Sequence, residues 1–535
     1  MPEVYVNLDA LIPREDFEAK EGNSAGSNIS STQAITELEK GRFFYSVLKK
    51  PDFQRETANW TPEKVAELVK SFVADDLVPS IILWKSPIND VFVIDGAHRL
   101  SSLVAWVRDD YGDGEISRDF FNHVIDDAQR ETADKTRRII AKEIGSYEDL
   151  KFAIANPSKA KVEHVERAKR LGSLAINVQW VTGDAKKAEQ SFFKINQQGT
   201  AIDSTELSML KARSSPNALA ARAIIRAGLG HKYWGNFPAS IQDEIETAAK
   251  AIYENLFRPA LQTPIKTLDV PVAGKAYSAQ ALPLIFDLVN LANDAVVGRV
   301  VKELEGDHDG TMTLQFLKTV KKMAFRISGN HPSSLGLHPL VYFYGPSGRF
   351  QPTSFFGIVA LIKKLDKKDS FSSFSSVRRR FEDFLLGHKH FSNQITQKSG
   401  SGLKGYSRVL YMYELLMQSL LEDKTDEEVE QIFQSDSQLS FLRLEETSAS
   451  SQFHKDFSTD TKSAVYLAEA KTSMLPCKIC HGYMHKNSIS VDHIQDKKLG
   501  GVGEPTNAQL SHPYCNSTYK DILAEEEDTS LHPRA

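Results

Sequence analysis

The chain contains three cysteines, Cys477, Cys480 and Cys515, and all three fall near its C-terminal end. Cys477 and Cys480 form a C-x2-C knuckle. His512 and Cys515 form an H-x2-C knuckle after 31 intervening residues. Together they supply four soft or borderline donors, the set that suits tetrahedral zinc. His481 and His485 lie close by, and either could take the place of His512. Between the knuckles come Val491-Asp492-His493-Ile494, then Gly500-Gly501, then Asn507, and Asn516 follows the second knuckle. A zinc staple has no need of Asp-His in a strand-like apolar setting. Phosphodiester hydrolysis has: it needs a base to take a proton from water, and hard oxygen donors for a divalent ion that stabilises the pentavalent phosphate. The competing reading is a zinc ribbon that only docks on DNA or protein. It leaves Asp492-His493 and Asn507 without a use.

The segment from Cys477 to Lys520 resembles the HNH endonucleases, which fold as two strands and a helix around one metal ion. The resemblance implies His493 as general base, with Asp492 and Asn516 as ligands of a catalytic Mg2+ or Mn2+ ion. It implies Asn507 as the residue that holds the loop bearing His493, and Cys477, Cys480, His512 and Cys515 as structural Zn2+ ligands. The chain departs from the family pattern at two points. His512 stands where the second knuckle usually has cysteine, and Asn516 stands where the motif often ends in histidine.

A second constellation lies near the N-terminus. Phe53-Gln54-Arg55 precedes Trp60-Thr61-Pro62-Glu63, where Thr61 can cap a helix, Pro62 fits its first position and Glu63 suits its positive end. Val65, Leu68, Val69 and Phe72 give that helix one apolar face. Strands are expected over Val78–Trp84 and Val91–Ile94, with a turn at Ser86–Asp90. The second strand runs into Asp95-Gly96-Ala97-His98-Arg99 and a helix over Leu100–Val107. A strand, a tight Gly turn and a helix start can hold phosphate: backbone N–H groups face the anion and a nearby Arg can clamp it. The same residues would also serve as a plain turn. A further strand, Ala175–Val181, precedes Phe192-x3-Asn196-x2-Gly199 and a capped helix start at Asp203-Ser204-Thr205-Glu206.

Taken in order, these patterns resemble the DGQHR-type domain of the GmrSD and SspE restriction proteins, which is related to the ParB nucleotide-binding fold. The resemblance covers about residues 35–215, with Ala97 in place of the usual Gln. It implies a nucleoside triphosphate site at Gln54, Arg55, Asp95, Gly96, His98, Arg99 and Asn196. We assign Arg55 and Arg99 to phosphates, Asp95 to a metal ion or attacking water, and His98 to the phosphate chain as a polar partner.

The remaining chain must position these two ends. Its 535 residues suffice for several domains, and its composition, 41% hydrophobic and 25% charged, is that of an ordinary soluble protein. The net charge of −5 does not announce a DNA partner, so contact with DNA needs local basic patches. Residues 108–170 read as charged helices. Residues 215–420 read as many amphipathic helices, broken near Pro238, Pro264, Pro271, Pro332 and Pro346. Within them, residues 361–410 hold eleven Lys or Arg against four acids, a balance of 11 − 4 = +7. Arg378, Arg379, Arg380 and Lys389 are the candidates there for tracking DNA phosphates. Residues 1–40 read as an irregular or extended leader with no secretory signal, and Gly22–Thr32 as a loop. No apolar run is long enough to span a membrane. Cysteines gathered in one metal cluster fit a reducing, cytoplasmic setting.

The expected fold class is α+β and multidomain. A ParB-like α/β nucleotide-binding domain covers 1–215 and a helical coupling and DNA-binding domain 216–430. A linker covers 431–464 and a zinc-stapled ββα HNH nuclease 465–535. The expected function is a nucleotide-regulated DNA endonuclease, nicking or cutting, with NTPase activity at the N-terminal end. The resemblance implies bacterial defence against phage DNA, gated by a base or backbone modification. Double-stranded DNA and a nucleoside triphosphate are the expected partners, a second copy of the chain is a further candidate, and no membrane is involved. The alternatives are a nucleotide-gated regulator whose zinc module only docks, and an enzyme whose N-terminal domain is itself the nuclease.

Overall fold

The computed structural model describes residues 5–15, 30–51, 54, 57–58, 60–121, 123, 125, 127–198, 212–229, 232–276, 281–298, 300–444 and 457–531. The N-terminal part is built on a sheet ordered β1-β3-β5-β4-β6-β2. Strands β1 (Arg14–Glu15), β3 (Leu48–Pro51) and β5 (Val91–Asp95) run parallel. Strand β4 (Ile81–Lys85) is antiparallel to β5 and parallel to β6 (Ala175–Val181), and β2 (Thr32–Ala34) closes the edge antiparallel to β6. Val91-Phe92-Val93-Ile94 is apolar without alternation because both faces of β5 are covered. Val91 and Val93 pack with α2 (Pro62–Ala74) and α3 (Ala97–Arg108), whereas Phe92 and Ile94 pack with Ala188 and Phe192 of α8 (Ala185–Gln198).

Local sequence rules set the boundaries of these elements. The Thr61 side chain accepts from Lys64 N at 3.4 Å and Pro62 opens α2; the helix ends where Asp75 turns left-handed at φ +66°. Strand β4 begins at Ile81, three residues later than expected, and α3 begins at Ala97, three residues earlier. The charged stretch 108–170 forms α4 (Glu115–Phe120), α5 (Asp127–Glu143), α6 (Tyr147–Ala155) and α7 (Val162–Leu171).

Part of the expected leader is buried. Val6 N donates to Trp60 O at 2.8 Å and Leu8 N to Thr57 O at 2.9 Å, while Leu11 and Ile12 enter the core. Asp9 is buried too, and its carboxylate accepts from Arg14 (2.7 Å), Lys50 (2.8 Å), Thr57 N (3.1 Å) and Arg226 (3.0 Å). Burial works against this charge, but the three cations prevail and hold the Asp9 carboxyl well below the usual carboxylate range. Because Arg226 caps the C-terminal end of α9 (Pro216–Ile225), this hub fastens the sheet domain to the helical middle.

The middle comprises α9, α10 (Ala239–Phe257), α11 (Ala281–Ala292), α12 (Thr311–Ile327), α13 (Pro339–Tyr342), α14 (Pro352–Lys368), α15 (Phe371–Gly387), α16 (His390–Ser399), α17 (Tyr406–Leu421) and α18 (Asp426–Ser435). Pro238 caps α10, and Pro264, Pro271, Pro332 and Pro346 fall between helices. The stretch expected as a linker, 431–464, is helical at both ends: α18 runs to Ser435 and α19 covers Thr459–Ala470. The C-terminal module shares one hydrophobic core with the middle, running from Ala218 to Tyr519. Backbone bonds seal the joint, including Tyr514 N to Ser334 O (3.0 Å) and a bridge between Leu337 and Met484.

Candidate nuclease and metal centre

In the C-terminal module β9 (Ser490–His493) pairs antiparallel with β10 (Ala508–Ser511), and a π-helical turn (Cys515–Tyr519) leads into α20 (Lys520–Leu531). The two knuckles close on each other. Ligand atoms of Cys477, Cys480, His512 and Cys515 all lie within 4.8 Å of one another, and all four residues are buried. His512 Nδ1 is 3.4 Å from Cys480 Sγ and 3.8 Å from Cys515 Sγ. Metal–ligand bonds of about 2.0–2.3 Å at tetrahedral angles require spacings of this size. The Cys3His cluster therefore fits zinc. His512 Nε2 lies 3.2 Å from Tyr483 O, an outer partner that leaves Nδ1 for the metal. The other two imidazoles stand apart. His481 is at a left-handed position (φ +58°), and His485 faces Asp269 at 3.5 Å and packs edge-on against His338.

Asp492 is only 2% exposed, and both its oxygens are engaged. Lys520 Nζ lies 2.6 Å from Oδ1 and Gln509 Nε2 lies 2.9 Å from Oδ2. Burial works against the charge of Lys520, yet its bond to Asp492 keeps the ammonium more basic than usual. A buried carboxylate matched by one positive charge has the chemistry of a cation ligand. Asn516 donates to Ser490 Oγ (2.6 Å) and Val491 O (3.2 Å), which ties the first helical turn to β9 beside Asp492. His493, the next residue of β9, is half-exposed and sits opposite Ala508.

Asn507 holds the loop that leaves His493. Its Oδ1 accepts from Gln495 N at 2.7 Å, and its Nδ2 donates to Gln495 O (3.2 Å) and Val502 O (2.9 Å). Ile494 N donates to Asn507 O at 3.0 Å. Gly501 is required here: a Cβ would come within 1.9 Å of Gln495 O. The structure thus gathers Asp492, His493, Asn507 and Asn516 on one hairpin and the helix behind it. Lys520 was missed by the sequence reading. In sequence it shows only as a charge after Asn516, and the π-helical turn between them brings it to Asp492.

The candidate nucleotide residues lie at the carboxyl ends of the parallel strands, where α/β sheets commonly bind ligands. Asp95 ends β5, Gly96 adopts φ +90°, and α3 starts at once. Arg99 Nη2 bonds Asp95 Oδ2 at 2.7 Å and Ser80 O at 3.1 Å, so the expected phosphate clamp is held by its neighbour. A Cβ at Gly96 would meet this guanidinium at 3.0 Å and Ile81 at 2.8 Å. His98 stacks on Trp60, ring centroids 5.5 Å apart. Gln54 follows β3, one strand away, and is buried. Arg55, the side chain of Asn196 and residues 199–211 lie outside the described residues.

Two of the four candidate DNA contacts are corrected. Arg378 is 1% exposed. Its Nε bonds Glu382 (2.7 Å) and its Nη atoms reach Leu335 O and Gly336 O, so it joins α15 to the joint with the zinc module. Lys389 is buried as well and donates to the carbonyls of Leu340, Val341 and Tyr344 around the end of α13. Neither can meet a DNA phosphate. Arg379 and Arg380 keep exposed faces, although Arg379 pairs with Asp383 (2.7 Å) and Arg380 with Asp423 (2.8 Å). No described helix is long and apolar enough to cross a membrane.

Comparison with known families finds a match in each of two regions of the chain. Residues 34–213 match the model of the GmrSD restriction endonuclease N-terminal domain, and residues 477–521 match that of the HNH endonucleases. No curated protein and no solved structure is significantly similar to the chain. The chain thus has the architecture of a GmrSD-like N-terminal domain joined to a C-terminal HNH endonuclease domain.

Proposed function

We propose that this protein is a nucleotide-regulated HNH DNA endonuclease that restricts phage DNA, with modified DNA as a candidate trigger. The observation that carries the reading is the hairpin: Asp492 and His493 are consecutive on β9, Asn516 is tied to the same strand, and Asn507 pins the loop between them. In this reading the His493 imidazole takes a proton from water as the water attacks phosphorus, and the bond to the 3′ oxygen then breaks. Asp492 and Asn516 would hold a divalent ion, which when bound stabilises charge on the phosphate oxygens and leaving group. Lys520, bonded to Asp492 Oδ1, would compete with such an ion for that oxygen and would supply positive charge beside the site. The Cys3His cluster has no open position and fixes the hairpin structurally.

Nucleotide regulation is supported by the Asp95-Gly96 turn at the start of α3, whose N–H groups and dipole favour an anion. Arg99 would exchange its bond to Asp95 for one to a phosphate, leaving the Asp95 carboxylate for a metal ion or water. The buried hub at Asp9 connects this domain to the helical middle, and the middle shares its core with the nuclease. The test is cleavage of plain and phage-modified DNA, with Mg2+ or Mn2+, with and without each nucleoside triphosphate, using wild type and Arg99→Ala. The reading expects a nucleotide to change the cleavage rate and Arg99→Ala to remove that response. Cleavage indifferent to every nucleotide would refute the regulatory half.

A further inference from the structure

The loop that follows His493 is wired from within and apolar on its outside. Leu499 N donates to Asp496 O (2.9 Å), Gly500 N to Lys497 O (3.1 Å) and Gly501 N to Asp496 O (3.0 Å). The Asp496 side chain caps Lys498 N at 2.8 Å, and Gln495 Nε2 donates to Leu499 O at 3.0 Å. With the three Asn507 bonds, these fix the loop in one shape. Yet Leu499 is 75% exposed, Val502 61% and Ile494 60%. A loop this well bonded could turn an apolar side chain inward; this one turns three outward. Three exposed apolar side chains within nine residues of one internally bonded loop point to an interaction site.

We propose that Leu499 and Val502 form a rigid wedge that presses between base pairs of the DNA being cut, with Lys497 and Lys498 on the flanking phosphates. DNA is favoured over a protein partner for two reasons. The loop carries adjacent exposed lysines, which neutralise phosphates and release counterions. It also follows His493 directly in the chain and is held to the hairpin through Asn507, which keeps it close to a duplex attacked at His493. Leucine and valine are suited to unstacking a step, and the strain is offset by the phosphate contacts that bending allows. Local opening of the stack at the cut would let the hairpin reach its phosphate. This inference rests on the reading of the module as a DNA nuclease.

The test uses the full chain. Cut positions are first mapped on supercoiled plasmid, and a duplex is then built with 2-aminopurine beside the mapped cut. Bound to a His493→Ala protein, this duplex should brighten as the analogue unstacks. Adding Leu499→Ser and Val502→Ser should abolish that rise, and in the active protein these two changes should slow cutting roughly tenfold, as loss of a buried apolar anchor does. Leu499→Met should retain both signals, and zinc content should be unchanged throughout. Wild-type protein that cuts no DNA would refute the nuclease reading itself. Wild-type cutting with no brightening, or serine variants that cut at the wild-type rate, would overturn the wedge alone. It would also fall if the serine variants turned a DNA-free dimer into a monomer in light scattering, since the patch would then serve self-association.

Discussion

Replacing Arg378 separates a structural role from a DNA-binding one. Its guanidinium bonds Glu382 at 2.7 Å, reaches the carbonyls of Leu335 and Gly336, and lies 3.3 Å from His512 Nδ1. Glu382 is 0% exposed; its other donors are Tyr342 OH (2.8 Å) and Tyr483 N. Arg378→Met would therefore strand a buried carboxylate and two buried carbonyls, and breaking a buried pair from one side costs about 3–5 kcal/mol. At about 2.1 cal/mol/K of unfolding entropy per residue, a body of about 300 residues loses about 1.5 °C per kcal/mol, so a fall of roughly 5–8 °C is expected. Zinc should also be lost at lower chelator concentration, because the same guanidinium supports the carbonyls against which the zinc ligands pack. The assay is calorimetry with a zinc-release titration, beside Arg379→Ala, which should stay within about 0.5 kcal/mol of wild type as an exposed change. If Arg378→Met melted like wild type but bound DNA with a salt slope smaller by about 0.9, Arg378 would be a phosphate contact and the account of this joint would be wrong.

Asn507→Ala removes three hydrogen bonds that set the loop beside His493. Cleavage should fall on the order of 100-fold, as displacement of a reacting group by about 1 Å does, with zinc retained; an unchanged rate would show that the loop holds itself. The buried His485 provides a pH dependence. Burial, with Asp269 opposing and Lys486 assisting, pushes its imidazole down to about 4. Between pH 6.5 and that value the unfolded chain binds a proton that the folded chain does not, so stability falls as pH drops through this window, by roughly 3 kcal/mol in all. Melting of wild type and His485→Gln at pH 7.5 and pH 5 should converge on acidification, and parallel curves would contradict the assignment.

The nuclease motif was legible because its chemistry is local. Two knuckles, Asp492-His493 and Asn516 lie within one short segment, and metal ligands must be of a few residue types. The strands at Val91 and Ala175 and the cap at Thr61 were legible for the same reason, since run length, β-branching and cap chemistry act over a few residues. The failures involve side chains whose fate depends on distant partners. Arg378 and Lys389 read as candidate DNA contacts because nothing near them in sequence reveals the carbonyls of Leu335–Tyr344 that enclose them. Asp9 lies in a stretch with no periodicity, and only tertiary structure brings Lys50 and Arg226 to it. Lys520 was visible as a charge, but its meeting with Asp492 depends on how the π-helical turn sets α20 behind β9.

The central claim is that His493 performs hydrolysis on DNA. The most direct measurement is single-turnover cleavage of phage and plasmid DNA with Mg2+ or Mn2+ by wild type and His493→Ala, with DNA affinity and zinc content measured on the same preparations. The account predicts that His493→Ala loses cleavage while both affinity and zinc persist. Cleavage that survived the substitution, or that survived removal of residues 465–535, would place the nuclease elsewhere in the chain and contradict it.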